Sequence, residues 1–349
     1  MKKKNAHLQM LRGIALLMVF FSHYFAAVFD NMLIAGWDLN QSPFRLLWGG
    51  NAAVIVFFCL SGFFMYDAEM PLRIGSYVKS VLKRWVRLYP LFALTMALGI
   101  VLALLLPYPT ASENMGAYIL GFWSEKKPLL NYLKQFLLIG GFDSTLVNPP
   151  IWTLIHEARF ALLAPLFTFL IKRFRGDLVL AIVAVFAVFS SYFSVVFIFV
   201  LGMVARKCVL NGTVPSWGRK AKIALGTLAV LLLDFQYLLK AFGLSCDQKL
   251  VYLVSSFGAV FLLLLCSQAG TELPFVLTPL AKLGDISYAV YLVHHLLLIA
   301  LRTMINLPVG FAIYGVTVLL VSVTAGVLLT KADFALAKGI RKKATWLYR

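Results

Sequence analysis

The sequence predicts an all-α integral membrane protein of about ten transmembrane helices, with both termini cytoplasmic. Three observations carry that prediction. Of the 349 residues, 61% are hydrophobic and 13% charged, against about 25% charged in a soluble domain, so the chain holds more apolar surface than one soluble core buries. Apolar runs of about 18 residues or more recur along the whole length, each able to cross a ~30 Å hydrocarbon layer as a helix. The Lys and Arg residues behind the formal net charge of +18 sit in short clusters between those runs. That is the orientation signal of a membrane protein, whereas a basic domain or an aromatic-basic motif would point to nucleic acid.

Apolar length sets each element. Helices are expected over Leu8–Phe29, Leu47–Tyr66, Val86–Leu106 and Ile151–Ile171. Asp177–Ala205 has room for a hairpin of two helices or one long tilted helix. Further helices follow over Ile223–Leu239, Leu250–Ser267, Leu280–Met304 and Gly310–Thr330. With the N-terminus inside, most of the 32 Lys and Arg residues fall on inner segments, provided Asp177–Ala205 crosses twice. Residues 1–335 thus read as one membrane domain and 336–349 as a short basic cytoplasmic tail. Lys2, Lys3 and Lys4 precede an apolar run as in a signal peptide, but no convincing small-residue cleavage site follows, and the segment reads as a retained first helix. The outer segment Pro107–Pro150 holds apolar pieces too short to span, suited to interfacial or re-entrant helices. Cys59, Cys208, Cys246 and Cys266 are scattered without metal-ligand spacing and read as small hydrophobes; no metal is expected.

Ionisable groups within apolar runs are costly, so each is a functional candidate. Arg12 and His23 are eleven residues apart on the first helix, three turns, which puts them on one face about 16 Å apart along the axis. Arg12 alone reads equally as a snorkelling anchor, and His23 as a helix-to-helix hydrogen bond. Glu157, in Trp152-Thr-Leu-Ile-His-Glu-Ala-Arg159, lies one or two turns into the fourth helix. Buried there, it must be neutralised or paired, with His23 or Arg159 as candidates. Ser287, Tyr291 and His294 form one polar stripe at i, i+4 and i+7, with Tyr288 and His295 adjacent. Arg84 and Arg87 share a helix face and suit phosphate oxygens as well as they suit a positive inner boundary. Ser61-Gly62 permits close helix packing, or unwinding around a ligand.

Taken in order, Leu11-Arg-Gly-Ile…His23, Phe58-Cys-Leu-Ser-Gly-Phe63, Arg84…Arg87-Leu-Tyr-Pro90, Trp152-Thr-Leu…Glu157 and Leu283-Gly-Asp-Ile-Ser-Tyr…His294 resemble the acyltransferase-three family of integral membrane O-acyltransferases. The resemblance covers nearly the whole chain. It implies ten helices in a bacterial inner membrane, acetyl-CoA as the cytoplasmic acyl donor, and a hydroxyl of an envelope glycan or glycolipid (lipopolysaccharide, capsule or another polysaccharide) as acceptor. The family's first-helix Arg and His fall on Arg12 and His23, its arginine pair on Arg84 and Arg87, and its late histidine on His294. Two departures stand out. Ala158-Arg159 follows Glu157 where a second acidic residue or Gln is usual, and His295-Leu296 replaces the usual aromatic-Pro, which leaves the division of labour between His294 and His295 open.

The mechanism this implies assigns Arg84, Arg87 and Arg12 to CoA phosphates, with Ser61 beside the donor path. His23 is the general base, Glu157 orients it, and Tyr291 or His294 donates to the oxyanion; a covalent acyl-histidine is an open alternative. The competing class is a proton-coupled polytopic transporter of a small anionic solute or glycolipid. Against it, no inverted repeat and no matched pair of broken helices is legible.

Overall fold

The computed structural model describes residues 5–29, 33–34, 37–71, 73–106, 117–123, 126–140, 143, 146–270, 272–304 and 310–343. Lys2 to Lys4, much of the outer segment between Pro107 and Pro150, and the last six residues of the basic tail lie outside the described residues. Apart from a two-residue antiparallel ribbon, Leu33–Ile34 with Trp37–Asp38, the regular structure described is helical. Among the described residues, six helices are long and apolar enough to cross a membrane, or eight if two bent pairs each count as one span.

The helices are α1 (Ala6–Val28), α2 (Gly50–Met65), α3 (Ile74–Leu105), α4 (Ala117–Leu120), α5 (Leu129–Lys134), α6 (Ile151–Arg173), α7 (Gly176–Phe189) and α8 (Ser191–Leu210). They continue with α9 (Arg219–Leu233), α10 (Phe235–Ala241), α11 (Gln248–Gln268), α12 (Thr278–Asp285), α13 (Ser287–Met304) and α14 (Phe311–Lys343). The Asp177–Ala205 region is two helices, interrupted at Ser190. Two expected spans are broken. The seventh bends by 63° at Asp234, between α9 and α10, and the ninth breaks at Ile286, between α12 and α13. Two others run long. α3 begins twelve residues before Val86, and α14 continues through the expected tail boundary to Lys343. At 1.5 Å per residue, these two reach about 48 and 50 Å.

Two compact units make up the chain. The first comprises Met1–Val19, Met32–Val78 and Phe160–Asp285. Its centre is α8, apolar on every side and buried from Ser194 to Met203, as a helix surrounded by others must be. α2 crosses α8 with backbone on backbone. A Cβ on Gly62 would lie 2.0 Å from the Phe199 carbonyl oxygen, and one on Gly202 would lie 2.1 Å from that of Cys59. α2 runs unbroken through Ser61-Gly62, so this glycine serves packing and the helix does not unwind there. The same reciprocal device joins α1 to α12, where a Cβ on Gly13 would meet the Leu280 oxygen at 2.0 Å and one on Gly284 the Gln9 oxygen at 1.9 Å.

The second unit comprises Phe20–Asn31, Lys79–Arg159 and Ile286–Arg349. Leu292, Leu296, Ile299 and Ala300 of α13 pack with Leu91, Phe92 and Met96 of α3 and with Ile151 and Leu154 of α6. Helix α3 is amphipathic in the sense a membrane requires. Leu91, Thr95 and Gly99 are buried, whereas Leu94, Leu98, Val101 and Leu105 form an exposed apolar stripe. In water that stripe would be a liability; facing hydrocarbon it costs nothing. A second cluster gathers Phe20, Tyr24 and Val28 of α1 with Tyr314 and Val318 of α14 and Ile119 of the short α4.

Candidate active site

The second unit gathers the titratable groups of three separate motif pieces. His294 and His295 are fully buried on α13, where Leu292, Leu296 and Ile299 anchor the helix in the core. On α1, Phe20 packs into the neighbouring cluster, which sets His23, three residues on, toward α13. His23 Nδ1 lies 2.9 Å from His294 Nε2, and the two ring centroids are 5.1 Å apart.

A second contact fixes the protons. His294 Nδ1 lies 2.7 Å from the Tyr291 carbonyl oxygen of its own helix. A carbonyl only accepts, so His294 Nδ1 carries the hydrogen and donates it. In the neutral imidazole, Nε2 is then an acceptor, and His23 Nδ1 must donate to it. By the same rule, His23 keeps its lone pair on Nε2. The backbone of α13 thus selects the tautomer of both rings.

Tyr291 stands in the middle of the stripe. Its hydroxyl lies 2.7 Å from Thr153 Oγ1 and 3.1 Å from the Pro150 carbonyl oxygen, to which it donates. Asn148 Nδ2 donates to the Leu292 carbonyl at 2.8 Å, and Trp123 Nε1 donates to the Val147 carbonyl at 3.0 Å. The Tyr291 and Asn148 bonds tie the residues before α6 to α13, and the Trp123 bond ties them to the end of the α4 segment. Nearby, the Arg159 Nε donates to the Ile139 carbonyl at 2.7 Å. Glu157 lies within electrostatic reach of the Tyr288 and Tyr291 hydroxyls.

Two groups escaped the sequence reading of roles. Tyr118, on α4, places its hydroxyl 2.9 Å from His295 Nε2, and its ring stacks 6.2 Å from that of His23. Burial pushes its phenol above the ordinary value, so the hydroxyl keeps its proton. His295 meets His23 edge-to-face, centroids 5.1 Å apart, and Phe122 closes its other side at 5.1 Å. Tyr118 sits in a stretch with no periodicity, so no local signal singles it out; His295 was visible as a departure from the family pattern. The three imidazoles are not arranged as metal ligands, and among the described residues no group of three His, Cys, Asp or Glu side chains is placed to hold a metal ion.

The arginine pair lies on the first half of the long α3. Arg87 is exposed and Arg84 half-buried. The Tyr288 hydroxyl donates to the Leu88 carbonyl at 2.7 Å, which joins the arginine motif to the head of α13. Arg87 lies within electrostatic reach of Tyr288 and of Asp333 on α14. Arg12 and Ser61 belong to the first unit, Arg12 half-buried beside the Gly13 crossing and Ser61 half-buried on α2.

Neither a curated protein nor a solved structure matches the chain. A family model does. Residues 5–331 match the model described as an acyltransferase domain, that of the acyltransferase-three family, from the first turn of α1 into α14. The buried histidine pair, the arginine motif and the apolar helices all fall within that match, and the chain therefore belongs to the acyltransferase-three family, as a multi-pass membrane acyltransferase.

Proposed function

We propose that the protein moves an acyl group, acetyl in the first instance, from acyl-CoA on the cytoplasmic side of a bacterial inner membrane to a hydroxyl of an envelope glycan or glycolipid. Ten crossings with both termini cytoplasmic are part of this proposal, with α2 and α7 added to the longer helices, as is a single membrane domain. The observation that carries the chemistry is the hydrogen-bonded series Tyr291 carbonyl, His294, His23. It leaves the basic lone pair on His23 Nε2, on the partner of the two that is not fully buried.

His23 Nε2 takes the proton of the acceptor hydroxyl as its oxygen attacks the thioester carbon. The carbon–sulfur bond then breaks, and the imidazolium returns the proton to the CoA thiolate. His294 holds the His23 ring through Nδ1 and stabilises its charged form, the task of the third member of a catalytic triad. Glu157 adds negative potential from the Tyr288–Tyr291 side. Arg84 and Arg87 grip the CoA phosphates bidentately; for Arg12 and Ser61, in the first unit, the donor-binding roles rest on the sequence reading alone.

The deciding experiment uses membranes, labelled acetyl-CoA and envelope glycans, with His23→Ala at matched protein level. Label on glycan that falls by ~10²-fold or more in the variant supports the reading. Label that survives unchanged removes His23 from the chemistry. One observation favours the transporter class: the 63° break at buried Asp234 is the kind of discontinuity carriers use to bind ions. Solute uptake that collapses in Asp234→Asn, with no acetyl transfer by the wild type, would select it.

A further inference from the structure

The proposed reaction needs a hydrogen-bond donor for the oxygen of the tetrahedral intermediate, and the structure singles one out. The Tyr291 hydroxyl has one hydrogen, which it donates to the Pro150 carbonyl. The His294 Nδ1 hydrogen goes to the Tyr291 carbonyl. His295 differs from both. Its ring is fully buried, its Nε2 is engaged by the Tyr118 hydroxyl at 2.9 Å, and its Nδ1 has no hydrogen-bond partner among the described residues. A buried polar atom left without a partner costs ~1–3 kcal/mol, and here it sits on a ring in edge contact with the ring of the proposed base.

Resting on the acyl-transfer reading, we propose that His295 Nδ1–H is the oxyanion donor, and that Tyr118 is the positioning residue that fixes its tautomer. In the proposed arrangement the Tyr118 hydroxyl, 2.9 Å from Nε2, donates to it, which places the imidazole hydrogen on Nδ1. The ring is fully buried among Phe122, Tyr118 and His23, away from water, where a fixed dipole stabilises developing charge most strongly. When the hydroxyl oxygen attacks the thioester carbon, the carbonyl electron pair moves onto oxygen and is met by Nδ1–H. When the carbonyl reforms, the carbon–sulfur bond breaks, and His295 neither gains nor loses a proton. The base and the oxyanion donor would then be edge-to-face neighbours, reached from one acyl carbon.

Amide side chains test this, because Asn places its NH₂ near the position of Nδ1 and Gln places its amide near that of Nε2. The full chain is purified in lipid nanodiscs, and CoA release from acetyl-CoA is followed with a thiol dye, with and without envelope glycolipid extract. His295→Asn should retain kcat within ~10-fold, and His295→Gln should lose ~10²–10³-fold with KM unchanged. Equal retention, equal loss or the reverse order overturns the proposal. If either variant melts or elutes abnormally, Tyr118→Phe decides instead: a ~10-fold fall in kcat with KM unchanged supports it, and an unchanged kcat overturns it. A wild type that releases no CoA under either condition sinks the acyl-transfer reading and this proposal with it. An active wild type with a failing variant series sinks the proposal alone.

Discussion

At the scale of single residues, the histidines act as a connected set, and their mutational costs should reflect that. If His294 works only through His23, then His294→Ala costs ~10–10²-fold in kcat, and His23→Ala with His294→Ala together cost no more than His23→Ala alone, because parts of one unit do not add. Additive losses measured by single-turnover acetyl transfer would show two independent roles. His23 and His294 were both legible in the sequence, one by its spacing from Arg12 and one by the i, i+4, i+7 stripe. Their direct contact was not, since 271 residues separate them and helical periodicity says nothing about which helices are neighbours. Glu157 was expected beside the base on grounds of depth alone; no sequence signal pointed to His294 Nε2 as the atom 2.9 Å from His23 Nδ1. Tyr118 was illegible because a single turn of helix in an aperiodic stretch leaves no pattern to read.

At the scale of elements, the motif glycines acquire a mechanical meaning. Gly13 and Gly284 come from the first and last motif pieces, and each occupies the space where the other helix's backbone runs. Gly13→Ala or Gly62→Ala should therefore destabilise by ~1–3 kcal/mol or more, as overpacking does, while Gly75→Ala, where an added Cβ meets nothing within 4 Å, should be neutral or slightly stabilising. Thermal unfolding in detergent compares them, and equal melting temperatures for all three would contradict the close crossings. The start of α11 gives a pH-dependent counterpart. Asp247 accepts the Lys249 backbone N–H at 2.8 Å, and that bond, with the Lys249 ammonium, holds its carboxyl below the usual range. Its stabilisation is complete above the ordinary carboxylate value of about 3.9 and is lost as pH falls through the lower folded value. Asp247→Asn should keep the cap and lose that pH dependence, whereas Asp247→Ala loses both. Helix positions followed from apolar length, but the breaks at Asp234 and Ile286 did not. A window of about 19 residues averages over one interrupted turn. The local signals were present nonetheless, since Asp234 at one break, and Asp285 and Ser287 flanking the other, are residue types that favour helix ends over interiors.

At the scale of the whole molecule, the cysteines offer a topology test without engineered labels. Under the proposed orientation, Cys246 lies outside and Cys208 inside. Membrane-impermeant maleimide should modify Cys246 in intact cells and Cys208 only after permeabilisation. Burial and then the Asp247 carboxylate hold the Cys246 thiol above its ordinary value, so its labelling should be slow at pH 7 and faster at pH 9. Labelling of Cys208 from outside would reverse the topology. Charge and hydropathy were enough to read the class and the positions of the long helices, because those properties add along the chain, and five ordered motif pieces were enough to read the family; the way helices pair was not legible. The two overlong helices have one more consequence. Each exceeds a ~30 Å hydrocarbon layer by more than three turns. The excess carries Lys79, Lys83, Arg84 and Arg87 on α3 and Lys331 and Lys338 on α14, with Asp333 of one within reach of Arg87 of the other. A collar of cations standing off the proposed inner leaflet concentrates polyanions before any pocket selects them, and mobile ions weaken that attraction over a Debye length of ~8 Å at physiological strength. Raising sodium chloride from 50 to 500 mM, roughly a threefold contraction of that length, should therefore raise KM for the proposed donor, acetyl-CoA, severalfold and leave kcat unmoved; under the proposed orientation, ionic strength then sets the enzyme's working saturation alongside the supply of donor.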